Sequence, residues 1–268
     1  MAAVKDRSGA RYRSSVWLGR TLILVGLLAF FEVAPGRWLD ELLVAQPSAI
    51  GRTLGEWMGL DGGDAVLWGA IRSTLGRAAG GLIIGTVLGL VAAFLVWRSK
   101  HIANLFEPVA AVVNSVPRIV LVPLFILWLG SGLAPIMVYV VGTAFFPIFY
   151  NVLQGLRSSD RVMLDSLRVM GAQDRDLLSA YLVPHSREYA LAALMISAPL
   201  TLVSTIVGEM LMSAGGLGGL LVASRNDFDT DGIYAATLVA ASLGVVTNVA
   251  VRSWNTKQRS RALEAEGL

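Results

Sequence analysis

Residues Ser159–Glu188 read SDRVMLDSLRVMGAQDRDLLSAYLVPHSRE. This charged stretch stands between long apolar runs, and its pattern is ordered. Ser159 or Asp160 suits a helix N-cap, where a side-chain oxygen accepts an orphan backbone N–H. Val162, Met163, Leu164, Leu167 and Met170 supply apolar positions for a first short helix. Gly171 suits the left-handed residue that ends it. Asp174 and Asp176 favour a second helix start through the helix dipole. Leu177, Leu178, Tyr181 and Leu182 form a second apolar stripe, and Pro184 is expected to stop that helix. Such an amphipathic pair fits a groove on a partner or rests on a membrane surface, and the residues alone leave both open.

Outward from this stretch the chain is built for lipid. It has 268 residues, 55% hydrophobic and only 15% charged, against about 25% charged in an ordinary soluble domain. Six segments reach the roughly 20 apolar residues that cross a bilayer as a helix. They are Val16–Ala34, Ser73–Trp97, Asn104–Leu129, Leu133–Leu153, Tyr189–Met212 and Ile233–Arg252. These runs are too long and continuous for barrel strands, which alternate over about 10 residues. The expected fold is an all-α polytopic membrane bundle of six helices spanning 16–252, with tails at 1–15 and 253–268.

Charge sets the sidedness. Lys5, Arg7, Arg11 and Arg13 precede the first span, and Arg98 and Lys100 follow the second. Arg157, Arg161, Arg168, Arg175 and Arg187 lie between the fourth and fifth spans, and Lys257, Arg259 and Arg261 close the chain. With six crossings all lie on one side. The other side holds Arg37, Arg52 and Arg225 among the acids Asp40, Glu41, Glu56, Asp61, Asp64, Asp227, Asp229 and Asp231. The positive-inside rule then places both termini and the loop in the cytoplasm. Trp17, Trp38, Trp68, Trp97, Trp128 and Trp254 fall near span ends, as interfacial anchors do. The first span also has the basic start and apolar run of a signal peptide, but the run exceeds the usual 7–15 residues. In the long loop that follows, Pro47 suits a first helical turn. Ile50, Leu54, Trp57 and Met58 share one face there, as in a helix lying on the membrane or capping the bundle.

The net charge of +3 concentrates at span ends, so it gives no ground for a nucleic-acid partner. There is no cysteine, and His101 and His185 are the two histidines, so neither a thiolate nor a His-based metal site is expected. No phosphate-binding G-x-x-x-x-G-K-[ST] loop occurs. Gly81, Gly85 and Gly89 stand four apart on one face of the second span, suited to close packing within the chain or between subunits. Pro117, Pro123, Pro135 and Pro147 bend the third and fourth spans, either beside a pathway or within an inert bundle. Arg118 lies near the middle of the third span beside Asn114. An arginine there costs at least about 2.5 kcal/mol on insertion scales and needs water, a partner or a ligand. It either pairs for structure or meets an anion in a pathway. Glu209, towards the outer end of the fifth span, is the obvious intramembrane acid, though a direct pair with Arg118 needs tilt or a shifted register. Ser213–Asp231, with AGGLGGLL, is an ordinary loop or, since its glycines permit it, a set of tight turns or a re-entrant segment.

The 159–188 stretch resembles the EAA loop of inner-membrane permeases of binding-protein-dependent ABC importers. Gly171 and Pro184 match the two anchors of that pattern. Asp165, Ser166 and Leu167 stand where E-A-A would be, Tyr181 and Val183 replace Ile and Leu, and Glu188 replaces a second proline. The resemblance runs in order through QPSAI, RSTLGRAAGGLIIGTVLGL, SVPRIVLVPLFILWLG, FFPIFYNVLQGLRSSD and VGEMLMSAGGLGGLL. It is similar to the subfamily serving nitrate, taurine, alkanesulfonates and pyrimidine precursors. The resemblance implies a non-catalytic membrane subunit without a cofactor of its own. A cytoplasmic ATPase dimer would use ATP and Mg, and a second permease copy and an extracytoplasmic solute-binding protein would complete the importer. Asp165, Gly171, Leu177, Tyr181 and Pro184 would belong to the ATPase-coupling loop, and Asn114, Arg118 and Glu209 would be candidates for the path of a small solute. An ion-gradient transporter would need coupling acids, for which Glu209 and Glu32 are available. An intramembrane enzyme would need a catalytic constellation, which the spans do not display.

Overall fold

Backbone groups in lipid must bond within their own segment or close a barrel. In the computed structural model, every regular element among the described residues is helical, apart from an isolated bridge between Pro35 and Leu39. The structure describes residues 5–40 and 42–265, with side chains for 19–255 except those at 41, 161, 174, 178 and 180. In chain order the α-helices are α1 (Lys5–Val33), α2 (Pro47–Trp57), α3 (Val66–Arg98), α4 (Lys100–Ser115), α5 (Val122–Leu129), α6 (Leu133–Arg157), α7 (Arg161–Val169), α8 (Asp174–Leu177), α9 (Val183–Met212), α10 (Gly216–Asn226) and α11 (Thr230–Ala265). A 3-10 turn at Arg118–Leu121 leads into α5, and a π turn at Leu178–Leu182 leads into α9.

Four helical stretches among the described residues are long and apolar enough to cross a membrane: Val66–Arg98, Leu133–Arg157, Val183–Met212 and Thr230–Asn255. Each contains one of the expected spans. The expected first span falls on α1, but the side chains of residues 1–18, with their basic cluster, lie outside the described ones, as do those of Lys257, Arg259 and Arg261. The third differs from expectation. Asn104–Leu129 is not one helix but a pair bent by 89° between α4 and the segment from Arg118. The cause is local. Val116 precedes a proline and is pushed out of the helical region, to φ −78° and ψ 125°, and Pro117 continues extended at ψ 113°. Pro108, Pro147 and Pro199 lie inside intact helices, so a proline alone does not fix where the chain breaks.

The described residues form two compact units, one within 1–67 and 223–237, the other within 68–222 and 238–268. In the first, Pro47 opens α2 as expected. The Glu32 carboxylate at the end of α1 accepts from Ser48 N at 3.1 Å and Ser48 Oγ at 2.5 Å, so an acid from another helix meets the positive end of α2. Thr230 and Tyr234 donate to the carbonyls of Leu42 and Leu43.

The second unit is organised around α6. Of its apolar window 56% is buried, against 11% for that of α11. Ile148, Phe149, Val152, Leu153 and Leu156 of α6 join Ala93, Val96, Leu182 and Ala193 in the largest core cluster. Gly81, Gly85 and Gly89 of α3 lie against Val140, Ala144 and Ile148 of the same helix. A Cβ on Gly85 would stand 2.6 Å from that of Ala144, and one on Gly89 2.9 Å from Ile148 Cγ2. These three glycines therefore set the approach of α3 and α6 within one chain.

Candidate functional site

The 159–188 loop has caps of the expected kind. Ser159 Oγ donates to Leu156 O at the end of α6, and Asp160 Oδ1 accepts from Val162 N at 2.8 Å to open α7. Gly171 takes φ +92°, and Ala172 N returns to Leu167 O at 3.0 Å, which ends α7. Asp176 reaches back to Gln173 N at 3.0 Å at the start of α8. Leu177 and Leu182 are buried.

Pro184 does not stop the second helix. It sits in the first turn of α9, and the chain runs helically from Asp174 through the π turn to Met212. A proline inside a helix removes one hydrogen bond and crowds the carbonyl four residues back. The wider π turn lies where that crowding would fall. A ring ladder forms beside it. Tyr181 stacks on His185 at 5.8 Å and His185 meets Tyr189 at 5.9 Å. Ser158 Oγ lies 3.2 Å from His185 Nε2, and Tyr181 Oη accepts from Asp160 N at 3.3 Å. Both ends of the loop are thus tied to the same rings. Its outer face is apolar and uncovered, with Val169 89% and Met170 83% exposed beside Val162 and Met163. Asp165 is exposed and pairs with Arg168 at 3.1 Å on the same helix.

Asn114 and Arg118 come together across the break after α4. Arg118 Nη2 donates to Asn114 Oδ1 at 2.6 Å, and the guanidinium lies over the Phe146 ring at 5.1 Å. Its Nε is buried with no hydrogen-bond partner. Arg118 is therefore not in the middle of a continuous helix, and no carboxylate compensates its charge among the described contacts.

Glu209 does not join them. Its side chain is 0% exposed and pairs with Arg77 Nη1 at 2.6 Å. Thr74 Oγ1 lies 2.8 Å from Glu209 Oε2 and also accepts from Leu217 N at 3.0 Å. Gly218 N donates to Glu209 at 3.1 Å, and Arg77 Nη2 donates to Ala214 O at 2.8 Å. The direct pair between Arg118 and Glu209, which would have needed tilt or a shifted register, does not form, and Glu209 pairs with Arg77 instead. Thr74 and Arg77 escaped the sequence reading. A signal was available, since Arg77 lies inside an apolar run where a charge needs a partner. No group of three or more His, Cys, Asp or Glu among the described residues could hold a metal ion.

Several lipid-length helices, one of them broken, around a polar amphipathic loop define a multi-pass helical membrane protein. The chain belongs to the family of binding-protein-dependent transport system inner membrane components, whose profile matches residues 85–262. It is an inner-membrane permease component of that kind of importer. It is similar to the formylaminopyrimidine transport permease protein ThiX of Halalkalibacterium halodurans, 27% identical over 92% of this chain and 99% of the relative. It is also similar to the aliphatic sulfonates transport permease protein SsuC of Bacillus subtilis, 26% identical over 93% and 89%. Among solved structures, an inward-facing MetNI methionine ABC transporter matches at TM-score 0.60 and 18% identity, over 70% of this chain and 94% of that one. That last likeness is one of fold.

Proposed function

We propose that this chain is the non-catalytic membrane subunit of an ATP-driven importer and couples to a cytoplasmic ATPase dimer through the 159–188 loop. It crosses the membrane six times with both termini inside, and a second identical copy completes the path. An extracytoplasmic binding protein delivers a small solute. ATP and Mg act on the ATPase, and this chain binds no cofactor. Asn114 and Arg118 line the path, and the unmatched charge of Arg118 favours an anion, the class named in the sulfonate relative. Glu209, fully engaged with Arg77, Thr74 and Gly218, is not a solute contact.

The observation that carries the coupling role is the uncovered ridge of Val162, Met163, Val169 and Met170 on a loop whose two ends are braced by Tyr181, His185 and Tyr189. An apolar face left open by its own chain on the basic side of the membrane suits a protein groove. Asp165, on the exposed face of the same helix, is available to that groove. ATP favours one arrangement of the ATPase pair, and a rigid loop passes the shift to α9. The test replaces Val169→Asp together with Met170→Asp. The ATPase should be lost from the purified complex while the amount of permease in the membrane stays at the wild-type level. Recovery of the ATPase at wild-type stoichiometry would reject the docking role.

A further inference from the structure

The turn between α9 and α10 draws on the fully buried carboxylate of Glu209, and neither loop docking nor the solute path uses it. Ser213, Gly215 and Gly216 take positive φ values of 48°, 72° and 72°. A serine in that region is crowded by its own Cβ, so the turn needs outside support. Three side chains give it. Leu217 and Gly218 carry N-terminal N–H groups of α10 that the helix cannot satisfy itself. Thr74 and Glu209 accept from them, and Arg77 holds Ala214 O on the other side of the turn. A Cβ on Gly216 would overlap the Glu209 carboxylate, and one on Gly218 would overlap the Ile206 carbonyl. The fit leaves no slack.

Stability alone is a weak reason for this arrangement, because apolar replacement of a buried ion pair is often neutral or favourable. The pair is also not sealed. Arg77 is 19% exposed and forms part of the wall of a hollow of about 570 Å³ with Arg72, Ser73, Leu133 and Met137. Geometry ties it to movement. α9 begins within the 159–188 loop, at Val183, and carries Glu209 roughly 40 Å further on at 1.5 Å per residue, whereas Thr74 and Arg77 stand on α3. Any sliding of α9 against α3 must break or carry these bonds.

We infer that Thr74, Arg77 and Glu209 form a latch that holds the α9–α10 turn closed at the membrane face opposite the ATPase until ATP moves α9. This rests on the coupling and sidedness proposed above. Leu217, in the first turn of α10, is fully buried while the turn is held, and the chain has no native cysteine, so Leu217→Cys gives a unique reporter that reacts only when the turn opens. In the complex with the ATPase, labelling by a membrane-impermeant maleimide should be slow with ADP and about tenfold faster with ATP and Mg, the scale of losing one hydrogen bond to a charged group. Adding Thr74→Val should make labelling fast in both states, and Thr74→Ser should keep the ATP response. If Thr74→Val does not assemble, Arg77→Lys serves, since a lysine cannot hold Glu209 and Ala214 O as a fork. It should narrow the difference between the two states. An intact complex whose labelling ignores ATP, or a Thr74→Val complex that labels like the intact one, overturns the latch. Labelling confined to inside-out vesicles overturns the sidedness instead.

Discussion

Arg77 and Arg118 are guanidinium groups set in the same apolar unit, and their surroundings differ in kind. Arg77 has a carboxylate at 2.6 Å and a carbonyl at 2.8 Å, with Thr74 completing the acid's shell. Arg118 has a neutral amide oxygen at 2.6 Å, an aromatic face at 5.1 Å and a buried Nε with nothing to bond. The first is compensated and packed, which suits holding a shape. The second keeps unspent charge beside a break in a helix, which suits meeting something that comes and goes. Position in an apolar run does not separate these two roles, whereas the partner atoms do.

The largest effect should come from breaking the compensated pair on one side. Glu209→Leu leaves Arg77 with a stranded charge and the N-terminus of α10 uncapped, and should destabilise the permease by about 3–5 kcal/mol. Thermal unfolding of the purified protein reads this out. Adding Arg77→Met should recover most of the loss, because the stranded charge is then gone. If the single and double variants unfold together, the compensation drawn here is wrong. A smaller effect on stability is expected at the other centre. Arg118→Met loses one hydrogen bond and a ring contact, on the order of 1 kcal/mol. Its mark should be on function: ATP-driven uptake of an anionic solute should fall about tenfold at an unchanged amount of permease, the scale of one lost charged contact. Unchanged uptake would make Arg118 a structural residue like Arg77 and dissolve the contrast.

Much of the helical plan was legible because it depends on local properties. Apolar length marks a span, Asp160 and Gly171 mark ends of α7, and the four-residue spacing of Gly81, Gly85 and Gly89 marks a close contact. What was not legible depends on distance or on competition between local rules. Arg77 and Glu209 lie 132 residues apart, and no spacing pattern links them. Pro184 reads as a stop, yet the π turn before it lets the helix continue. Pro117 and Pro147 look alike in sequence, but one stands at an 89° bend and the other within an unbroken α6. The difference lies in the packing around α6, where Ile148 and Phe149 are fully buried and hold the helix through its proline.

The coupling role is tested most directly at Met170, which is 83% exposed on the face assigned to the ATPase. With no native cysteine in the chain, Met170→Cys can be cross-linked in inner-membrane vesicles containing the whole transporter. The predicted result is a covalent adduct with the ATPase, and no labelling of that cysteine from outside intact cells. Labelling from outside, with no ATPase adduct, would contradict the account.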